Sequence, residues 1–289
     1  MEFRPLTPML HELAEGPVWV PGEMALYFVD IPAFRIHRYD WATAHLQSWR
    51  APSEPGSLAP SGDGNLIVAL RDGFYLFRPQ ANRFDVLARP GYDTTSMRMN
   101  DGRCDPVGRF WAGTMDVTRS GPNGGLWCMD RTALRKGPDG VVISNGLAFS
   151  PDGRTMYHAD SIARVVYRFE YDLGSGRASG REVWFRCPDG LGDPDGASVD
   201  RHGNYWIAMY GGGCILKISP HGELLATVEV PAKYPTMVTF AGPALDHIVV
   251  TSSRRNRPAD ELARYPSAGG VFVSGPTSTV GIAEVPFQL

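Results

Sequence analysis

The sequence predicts an all-β protein, and within that class a six-bladed β-propeller formed as a single domain by residues 1–289. Three observations lead to this prediction. Long amphipathic helical patterns are missing, short β-rich runs bounded by turn residues dominate, and the runs recur with a period of about 40–50 residues. Together they are typical of a propeller, in which each blade is a small sheet of four strands.

The β-rich runs are short and alternate with turns. They are ALYFVDI (25–31), NLIVAL (65–70), RFWAGTM (109–115), TMYHAD (155–160), NYWIAM (204–209) and HIVVTS (247–252). The chain holds 33 glycines and 24 prolines, which fits a fold with many tight turns. Such runs are expected to be strands because β-branched and aromatic residues are enriched in sheets.

The runs are also in register with one another. Four of them follow a turn that ends in glycine, and the residues eight positions before those glycines are Gly56, Asn100, Asn145 and Asp195. In the first unit Glu15 lies seven positions before Gly22, and a sixth unit begins near Thr236. The starts 15, 56, 100, 145, 195 and about 236 are separated by 41, 44, 45, 50 and about 41 residues. A β-sandwich would not explain this equal spacing.

Equivalent positions in successive blades form a ring around the central channel. The predicted ring consists of Glu15, Gly56, Asn100, Asn145, Asp195 and Thr236. Five of the six side chains carry oxygen and none is basic, which predicts a site for a hard divalent cation such as Ca²⁺, Mg²⁺ or Mn²⁺. Zn²⁺ is an alternative through carboxylate oxygens. Taken singly, Asx-Gly pairs indicate turns, but their common register and the glutamate in the first unit favour the cation site.

Composition and motifs argue against several other classes. A net charge of −3 and a pI near 6.2 give no sign of nucleic-acid binding, and we interpret the basic run 254–257 as a solvated loop rather than an anion-binding patch. No apolar stretch approaches the ~20 residues that cross a bilayer, and the start lacks a signal-peptide pattern. The four cysteines show no CxxC spacing, which predicts buried free thiols and a cytoplasmic location. HExxH and GxSxG are absent.

Six motifs occur in order along the chain: AEGPVW (14–19), RMNDG (98–102), FWAGTM (110–115), SNGLAFSPDG (144–153), DPDGASVD (193–200) and AGGVF (268–272). This pattern resembles the regucalcin/gluconolactonase (senescence marker protein) family over nearly the whole length. The resemblance implies a six-bladed propeller with one divalent metal on its axis, which in this family is Ca²⁺, Zn²⁺, Mn²⁺ or Fe²⁺. It also implies hydrolysis of a sugar lactone. With the Mg²⁺ that the oxygen ligands also allow, the predicted cofactor is one ion of Ca²⁺, Zn²⁺, Mn²⁺, Mg²⁺ or Fe²⁺.

The resemblance implies roles for five residues. Glu15, Asn145 and Asp195 match the metal ligands, and Arg98 and Asn100 match the substrate-binding residues of the family. One position departs from the pattern, because Thr118 stands where regucalcin has a glutamate that contacts substrate, with Asp116 as the nearest carboxylate. The identity of the sugar is therefore left undetermined.

The leading hypothesis is a metal-dependent lactonase that converts an aldonolactone to its aldonic acid, with no nucleic-acid, membrane or obligate protein partner. Asp195 is the hypothesised catalytic acid/base, coordinating through one oxygen and exchanging protons through the other. A metal-dependent esterase or phosphotriesterase, and a non-catalytic calcium-binding propeller, are the alternatives. A polar pocket would favour the sugar substrate.

Four further expectations concern the scaffold. Asp101 faces away from Asn100 and is interpreted as structural. Asp30 and Asp160 end second strands and are interpreted as turn or inter-blade hydrogen-bonding residues. His158 is expected to pack rather than bind metal. Finally, a short N-terminal strand at residues 9–14 is predicted to pair with the sixth blade and close the ring, because an open propeller would expose a sheet edge.

Overall fold

The computed structural model describes residues 1–62, 64–131 and 133–289, and its strands form six four-stranded antiparallel sheets. The prediction of a six-bladed propeller is confirmed. Five blades are built from four consecutive strands each, and the sixth combines three C-terminal strands with the N-terminal strand. The described helices are one short α-helix, α1 (Ala259–Arg264), and two 3₁₀ turns, Pro21–Glu23 and Pro79–Ala81. None of these helices has the length and apolar character needed to cross a bilayer.

The strands follow in chain order, and the first strand of each blade lies nearest the axis. Blade 1 contains β2 (Ala14–Val20), β3 (Ala25–Asp30), β4 (Arg35–Asp40) and β5 (Leu46–Arg50). Blade 2 contains β6 (Pro55–Pro60), β7 (Leu66–Leu70), β8 (Gly73–Arg78) and β9 (Arg83–Ala88). Blade 3 contains β10 (Met97–Cys104), β11 (Phe110–Asp116), β12 (Gly124–Met129) and β13 (Leu134–Val141).

The second half of the chain repeats this plan. Blade 4 contains β14 (Ser144–Phe149), β15 (Thr155–Asp160), β16 (Val165–Asp172) and β17 (Arg177–Arg186). Blade 5 contains β18 (Asp193–Val199), β19 (Tyr205–Tyr210), β20 (Cys214–Ile218) and β21 (Leu224–Glu229). Blade 6 contains β22 (Pro235–Ala241), β23 (His247–Ser252), β24 (Val271–Ser274) and the N-terminal β1 (Phe3–Pro5).

Apolar side chains fill the spaces between neighbouring blades. Strand β19 illustrates the pattern, because successive side chains of a strand point to opposite faces. Tyr205 and Ile207 pack in the cluster shared with blade 4, whereas Trp206 and Ala208 pack in the cluster shared with blade 6. Second strands are therefore apolar on both faces, which explains the continuous apolar runs in the sequence. All four cysteines are buried free thiols, as predicted.

Each first strand is irregular at the ring position. The register with the second strand shifts between Glu15 and Val18, Pro55 and Ser57, Met99 and Gly102, Asn145 and Ala148, Pro194 and Ala197, and Pro235 and Met237. A β-bulge bends its strand and re-aims the bulged side chain. The recurrence of a polar residue before glycine is therefore the sequence mark of this bulge.

Glycine is required at two of these bulges for different reasons. Gly146 has a φ of 60°, and a Cβ there would lie 2.4 Å from the Tyr205 hydroxyl oxygen. Gly56 occupies the ring position itself, where a Cβ would lie 2.7 Å from the carbonyl oxygen of Asn100. The neighbouring blade thus leaves no room for a side chain at position 56, which explains the one ring member without a side-chain oxygen.

The N-terminal segment closes the ring, but the predicted position of its strand is wrong. Strand β1 at Phe3–Pro5 pairs with β24, whereas residues 9–14 make only isolated contacts with blade 6. Among those contacts, His11 N–H donates to Gly269 O at 2.8 Å, and Leu13 forms a single bridge with Ser253. Strand β1 is the edge strand of blade 6, which is a position where a proline such as Pro5 is tolerated.

The C-terminal tail runs along the face of the propeller opposite to the loops that follow the second strands. It bridges Gly281 to Asp200 in blade 5 and Phe287 to Ser61 in blade 2. Between them, the Glu284 carboxylate, whose side chain is 11% exposed, lies 3.2 Å from Nε of Arg103 in blade 3. Both termini therefore tie together blades that are distant in sequence.

Two N-terminal deletions distinguish the role of the N-terminal segment in closing the ring of blades from its role in positioning Glu15 at the predicted cation site. Removing residues 1–7 eliminates β1 and the buried Leu6, and we expect a loss of about 10 °C in melting temperature with unchanged cation affinity. Removing residues 1–12 also eliminates the N–H of Glu12, which donates to the Asp30 carboxylate at 3.1 Å. The N–H of the adjacent Leu13 donates to the same carboxylate. Only this longer deletion is expected to weaken cation binding, as measured by calorimetry. Equal affinities in both deletions would show that blade 1 alone positions Glu15.

Candidate functional site

A cavity of about 670 Å³ opens at the end of the channel where the first strands begin. Its wall is formed by the loops after the second strand of all six blades and by the residues that lead into the first strands. The five predicted site residues, Glu15, Arg98, Asn100, Asn145 and Asp195, all line it. The structure therefore brings together residues that are up to 180 positions apart in the chain.

Two buried carboxylates, Glu15 and Asp195, face this cavity without a cationic partner at ion-pair distance among the described residues. Burial raises the pKa of Glu15, and the negative charge of Asp101 adds to the effect. Burial also raises the pKa of Asp195 well above its usual range, followed by the charge of Glu15. Glu15 accepts one hydrogen bond, from Gly16 N–H at 3.1 Å. The Asp195 carboxylate accepts none from the part of the chain that is described.

The amide residues of the ring form a chain of hydrogen bonds beside these carboxylates. Asn145 donates through Nδ2 to Ser161 Oγ at 2.8 Å, which directs its Oδ1 toward Asn100. Asn100 donates through Nδ2 to Asn145 Oδ1 at 2.7 Å and accepts from Arg98 Nη1 at 2.9 Å. Asn100 thus fixes the orientation of the Asn145 amide.

Arg98 is a buried cation held at the cavity wall. Its Nη1 also donates to Met99 O at 2.7 Å, and no described hydrogen bond uses its Nη2 or Nε. Burial lowers the pKa of Arg98 to about 10, and the charge of Arg255 is the next largest cause. The guanidinium remains protonated at neutral pH and has two nitrogens left for a ligand.

The other two ring positions do not line the cavity. Gly56 has no side chain, and Thr236 Oγ1 donates to Ala14 O at 2.6 Å, which ties blade 6 to blade 1. The ring of six therefore provides four cavity-lining side chains: Glu15, Asn100, Asn145 and Asp195.

The residues interpreted as structural are so placed. Asp101 accepts from Leu147 N–H at 2.8 Å, away from the cavity. Asp30 accepts from the amides of Glu12 and Leu13, and Asp160 accepts from Val142 N–H at 3.1 Å, so both bind the chain where it enters a first strand. His158 is buried and shares a 2.7 Å hydrogen bond with Ser144 Oγ, as expected for a packed histidine.

The loop at the departure from the family pattern is organised by Asp116. Its carboxylate accepts from the amide and hydroxyl of Thr118, from Ser120 and from Asn123 Nδ2, at 2.6–3.1 Å. These hydrogen bonds hold the pKa of Asp116 well below its usual range, and the bond from the Thr118 hydroxyl has the largest effect. Neither Asp116 nor Thr118 lines the cavity, whereas Val117 and Arg119 do. No carboxylate replaces the family's glutamate here, and an arginine faces the cavity instead.

Sequence reasoning missed several other lining residues. The basic run 254–257 was interpreted as a solvated loop, and Arg255 is indeed exposed, but Arg255, Asn256 and Arg257 all line the cavity. Their position after the second strand of blade 6 corresponds to that of Arg119 in blade 3, so the repeat register contained this signal. Arg71 and Glu54 form an ion pair at 3.1 Å on the same wall.

A second group of metal-binding side chain types lies outside the cavity. His11, Asp30 and His37 offer ligand atoms within 4.8 Å of one another, at the interface of blades 1 and 6. Both Asp30 oxygens accept backbone hydrogen bonds, and His37 Nδ1 bonds Ser48 Oγ at 2.7 Å. Burial, followed by the charge of His11, lowers the pKa of His37 to about 3. The hydrogen bonds of Asp30 and His37 fit a packing role for this group.

The donor set in the cavity fits a divalent cation. Two carboxylates and one amide oxygen supply the hard oxygen ligands that such ions prefer, and the Asp195 carboxylate is a buried acceptor to which no described residue donates. Taking two carboxylates out of water is costly unless an opposite charge compensates them. A +2 ion would compensate both.

Comparison with known proteins extends over nearly all of the chain. Residues 13–254 match the family described as SMP-30/Gluconolactonase/LRE-like region. A 6-deoxy-6-sulfogluconolactonase of Pseudomonas putida is 41% identical over 265 residues, which are 91% of this chain and 90% of that protein. Regucalcin of Xenopus laevis is 33% identical over 284 residues, with 96% and 95% covered. The crystal structure of a calcium-binding protein, regucalcin, from Agrobacterium tumefaciens superimposes with a TM-score of 0.96 at 28% identity, with 100% and 98% covered.

Proposed function

We propose that this chain, which belongs to the SMP-30/gluconolactonase/LRE-like family, hydrolyses a sugar lactone with the help of one divalent cation on the propeller axis. Lactone hydrolysis follows from the family and from the lactonase among the relatives. The observation that supports the cation is the pair of buried carboxylates, Glu15 and Asp195, that share a cavity and have no cationic group at ion-pair distance among the described residues. Regucalcin, a similar protein, is described as calcium-binding.

Glu15, Asn145 and Asp195 would hold the cation, which could be Ca²⁺, Mg²⁺, Mn²⁺, Zn²⁺ or Fe²⁺. When bound, it would supply Lewis-acid polarisation of the lactone carbonyl. Asp195 then acts as general base and acid: one carboxylate oxygen takes a proton from the attacking water and returns it to the ring oxygen that leaves as an alcohol. One O–H bond of water and the acyl C–O bond break, and the product is the open-chain aldonic acid.

Arg98 and Asn100 orient the substrate. Nη2 and Nε of Arg98 donate to no described residue and can donate to sugar hydroxyls, while Nη1 is held by Met99 and Asn100. A ligand held by fixed donors loses less entropy at the transition state than one held by mobile donors. We also propose that the protein works in the cytoplasm, on the basis of its four buried free thiols, and that it needs no obligate partner, because its six blades close into a ring within one chain.

The polarity of the cavity favours a sugar over an apolar ester. Five arginines and four carboxylates line it, together with seven apolar side chains that include Ile31 and Ile143. An esterase or phosphotriesterase for apolar substrates would be expected to present an apolar pocket. The relatives' names cover gluconolactones with and without a sulfonate at C6.

The test is a substrate panel with and without chelator. We expect hydrolysis of gluconolactone, loss of this activity in EDTA, and recovery with at least one of the five cations. An organophosphate triester serves as the alternative substrate. Hydrolysis of the triester alone would indicate the esterase alternative, cation binding without any hydrolysis would indicate a binding protein, and full activity in EDTA would contradict the cation.

A further inference from the structure

The charges that line the cavity are unevenly paired. Two of its carboxylates lie near arginines: Glu54 is 3.1 Å from Arg71, and Asp193 is 3.6 Å from Arg164. The other two, Glu15 and Asp195, are the proposed cation ligands. Four lining arginines, Arg98, Arg119, Arg255 and Arg257, have no carboxylate within ion-pair distance among the described residues. Once a divalent ion balances the axis, the rest of the cavity carries an excess of positive charge.

Arg257 and Arg98 are cations with neutral partners. The Arg257 guanidinium stacks on the Tyr234 ring at 3.9 Å and donates to the Tyr210 hydroxyl at 3.2 Å. Arg98 is bonded to Met99 and Asn100. These two arginines are therefore already held, and they leave Arg119 and Arg255 as guanidinium groups whose side chains bond to no described residue.

The backbone of Arg255 is fixed although its side chain is not. Its N–H donates to Ser253 Oγ at 3.1 Å, and its carbonyl accepts from Arg257 Nε at 3.1 Å. The next residue, Asn256, has a left-handed φ of 56° that completes the turn. The stacked Arg257 thus anchors the carbonyl of Arg255, and the Arg255 side chain extends from a fixed position into the cavity.

Arg119 is built in the same way on the other side of the cavity. Its N–H donates to Asp116 O at 3.1 Å, its φ is 55°, and the flanking Thr118 and Ser120 are bonded to the Asp116 carboxylate. A carboxylate with five hydrogen bonds makes this loop rigid. The two loops occupy equivalent positions after the second strands of blades 3 and 6, so they lie on opposite sides of the axis.

We propose that Arg119 and Arg255 form an anion subsite at the outer part of the cavity, which binds an oxyanionic substituent, a sulfonate or a phosphate, on the sugar lactone. Arginine suits this role because its planar, permanently charged group presents donors that match such oxyanions. The subsite rests on the proposed function, in which the lactone carbonyl lies at the axis and the far end of the sugar points to the mouth. Both guanidinium groups extend into the cavity from fixed backbone positions and bond to no described residue, so their donors are available for an anion.

The test compares three lactones: gluconolactone, 6-deoxy-6-sulfogluconolactone and 6-phosphogluconolactone. The variants are Arg119→Gln and Arg255→Gln, with Arg254→Gln as matched control because Arg254 is adjacent to Arg255 but does not line the cavity. We expect each of the first two to lower kcat/KM for the anionic lactones by about 10- to 100-fold, mainly through KM, as for one lost charge-assisted hydrogen bond. Gluconolactone turnover and the control should remain unchanged. The lactone with the larger loss identifies sulfonate or phosphate as the preferred group.

Three outcomes would overturn the subsite: equal losses on all three lactones, no loss on either anionic lactone, or an equal loss in Arg254→Gln. Binding of 6-deoxy-6-sulfogluconate and 6-phosphogluconate, measured by calorimetry on wild type and Arg255→Gln, tests the subsite independently of turnover. If no lactone is hydrolysed but these anions bind and the variant weakens them, the proposed function fails and the subsite stands. If gluconolactone is hydrolysed and the anions bind equally to both proteins, the subsite fails and the function stands.

Discussion

Replacement of Asp195 by asparagine is expected to lower kcat for gluconolactone by about 10²- to 10⁴-fold, the range typical for loss of a general acid or base. The carboxylate is buried, lines the cavity and accepts no hydrogen bond from the described residues, so it is free to exchange a proton. Asparagine has nearly the same shape and retains one oxygen toward the axis. The measurement is steady-state kinetics across a series of cation concentrations, so that weaker cation binding is separated from slower chemistry.

The matched control is Asp193→Asn, two residues away in the same strand. Asp193 lines the rim of the cavity, and its side chain is 47% exposed and lies 3.6 Å from Arg164. Its replacement should leave kcat close to wild type. Full activity of Asp195→Asn at saturating cation would remove the acid/base role, and an equal loss in both variants would indicate a general effect of charge in the pocket.

The fold was predictable because one structurally equivalent position recurs in every blade. The residue that opens each first strand sits at a bulge, and bulges constrain both the polar residue and the glycine after it. Asn145–Gly146 shows both constraints: the amide faces the axis while Gly146 adopts a positive φ beneath the Tyr205 hydroxyl. The register shift recurs in all six blades, whereas the polar residue followed directly by glycine occurs in three of them, at Glu15, Asn145 and Asp195.

The parts that could not be predicted depend on contacts between segments distant in sequence. Strand β1 lies at Phe3–Pro5 because it meets β24, some 270 residues later, and local propensity carries no trace of that partner. Arg255 faces the cavity because Arg257 stacks on Tyr234, a residue of the connection into blade 6. The charge run by itself indicated only solvation. Thr118 aligns with the substrate-contacting glutamate of regucalcin. The turn organised by Asp116 nevertheless places Arg119, and not Thr118, at the cavity.

Replacement of Glu15 by glutamine is expected to weaken cation affinity by about 100-fold, the upper end of what even outer-shell changes cost at metal sites. The substitution keeps shape and hydrogen bonding, because an amide oxygen can still accept from Gly16 N–H, and it removes one of the two charges that face the cation. Calorimetric titration with Ca²⁺ and Mn²⁺ measures the change. Glu54→Gln is the matched control, since Glu54 lines the same cavity but is paired with Arg71.

The relative stability of wild type and Glu15→Gln is also expected to depend on the cation. Without a cation, burial and neighbouring negative charge raise the pKa values of Glu15 and Asp195, so keeping these acids in the folded protein costs stability near neutral pH, and glutamine at position 15 avoids its share of that cost. With saturating cation, wild type gains more, because stabilisation by a ligand grows with its affinity. Thermal unfolding should therefore rank Glu15→Gln at or above wild type in EDTA and below it in excess Ca²⁺ or Mn²⁺. If wild type ranks higher in both conditions and the affinities are equal, Glu15 supports blade 1 and does not bind the cation.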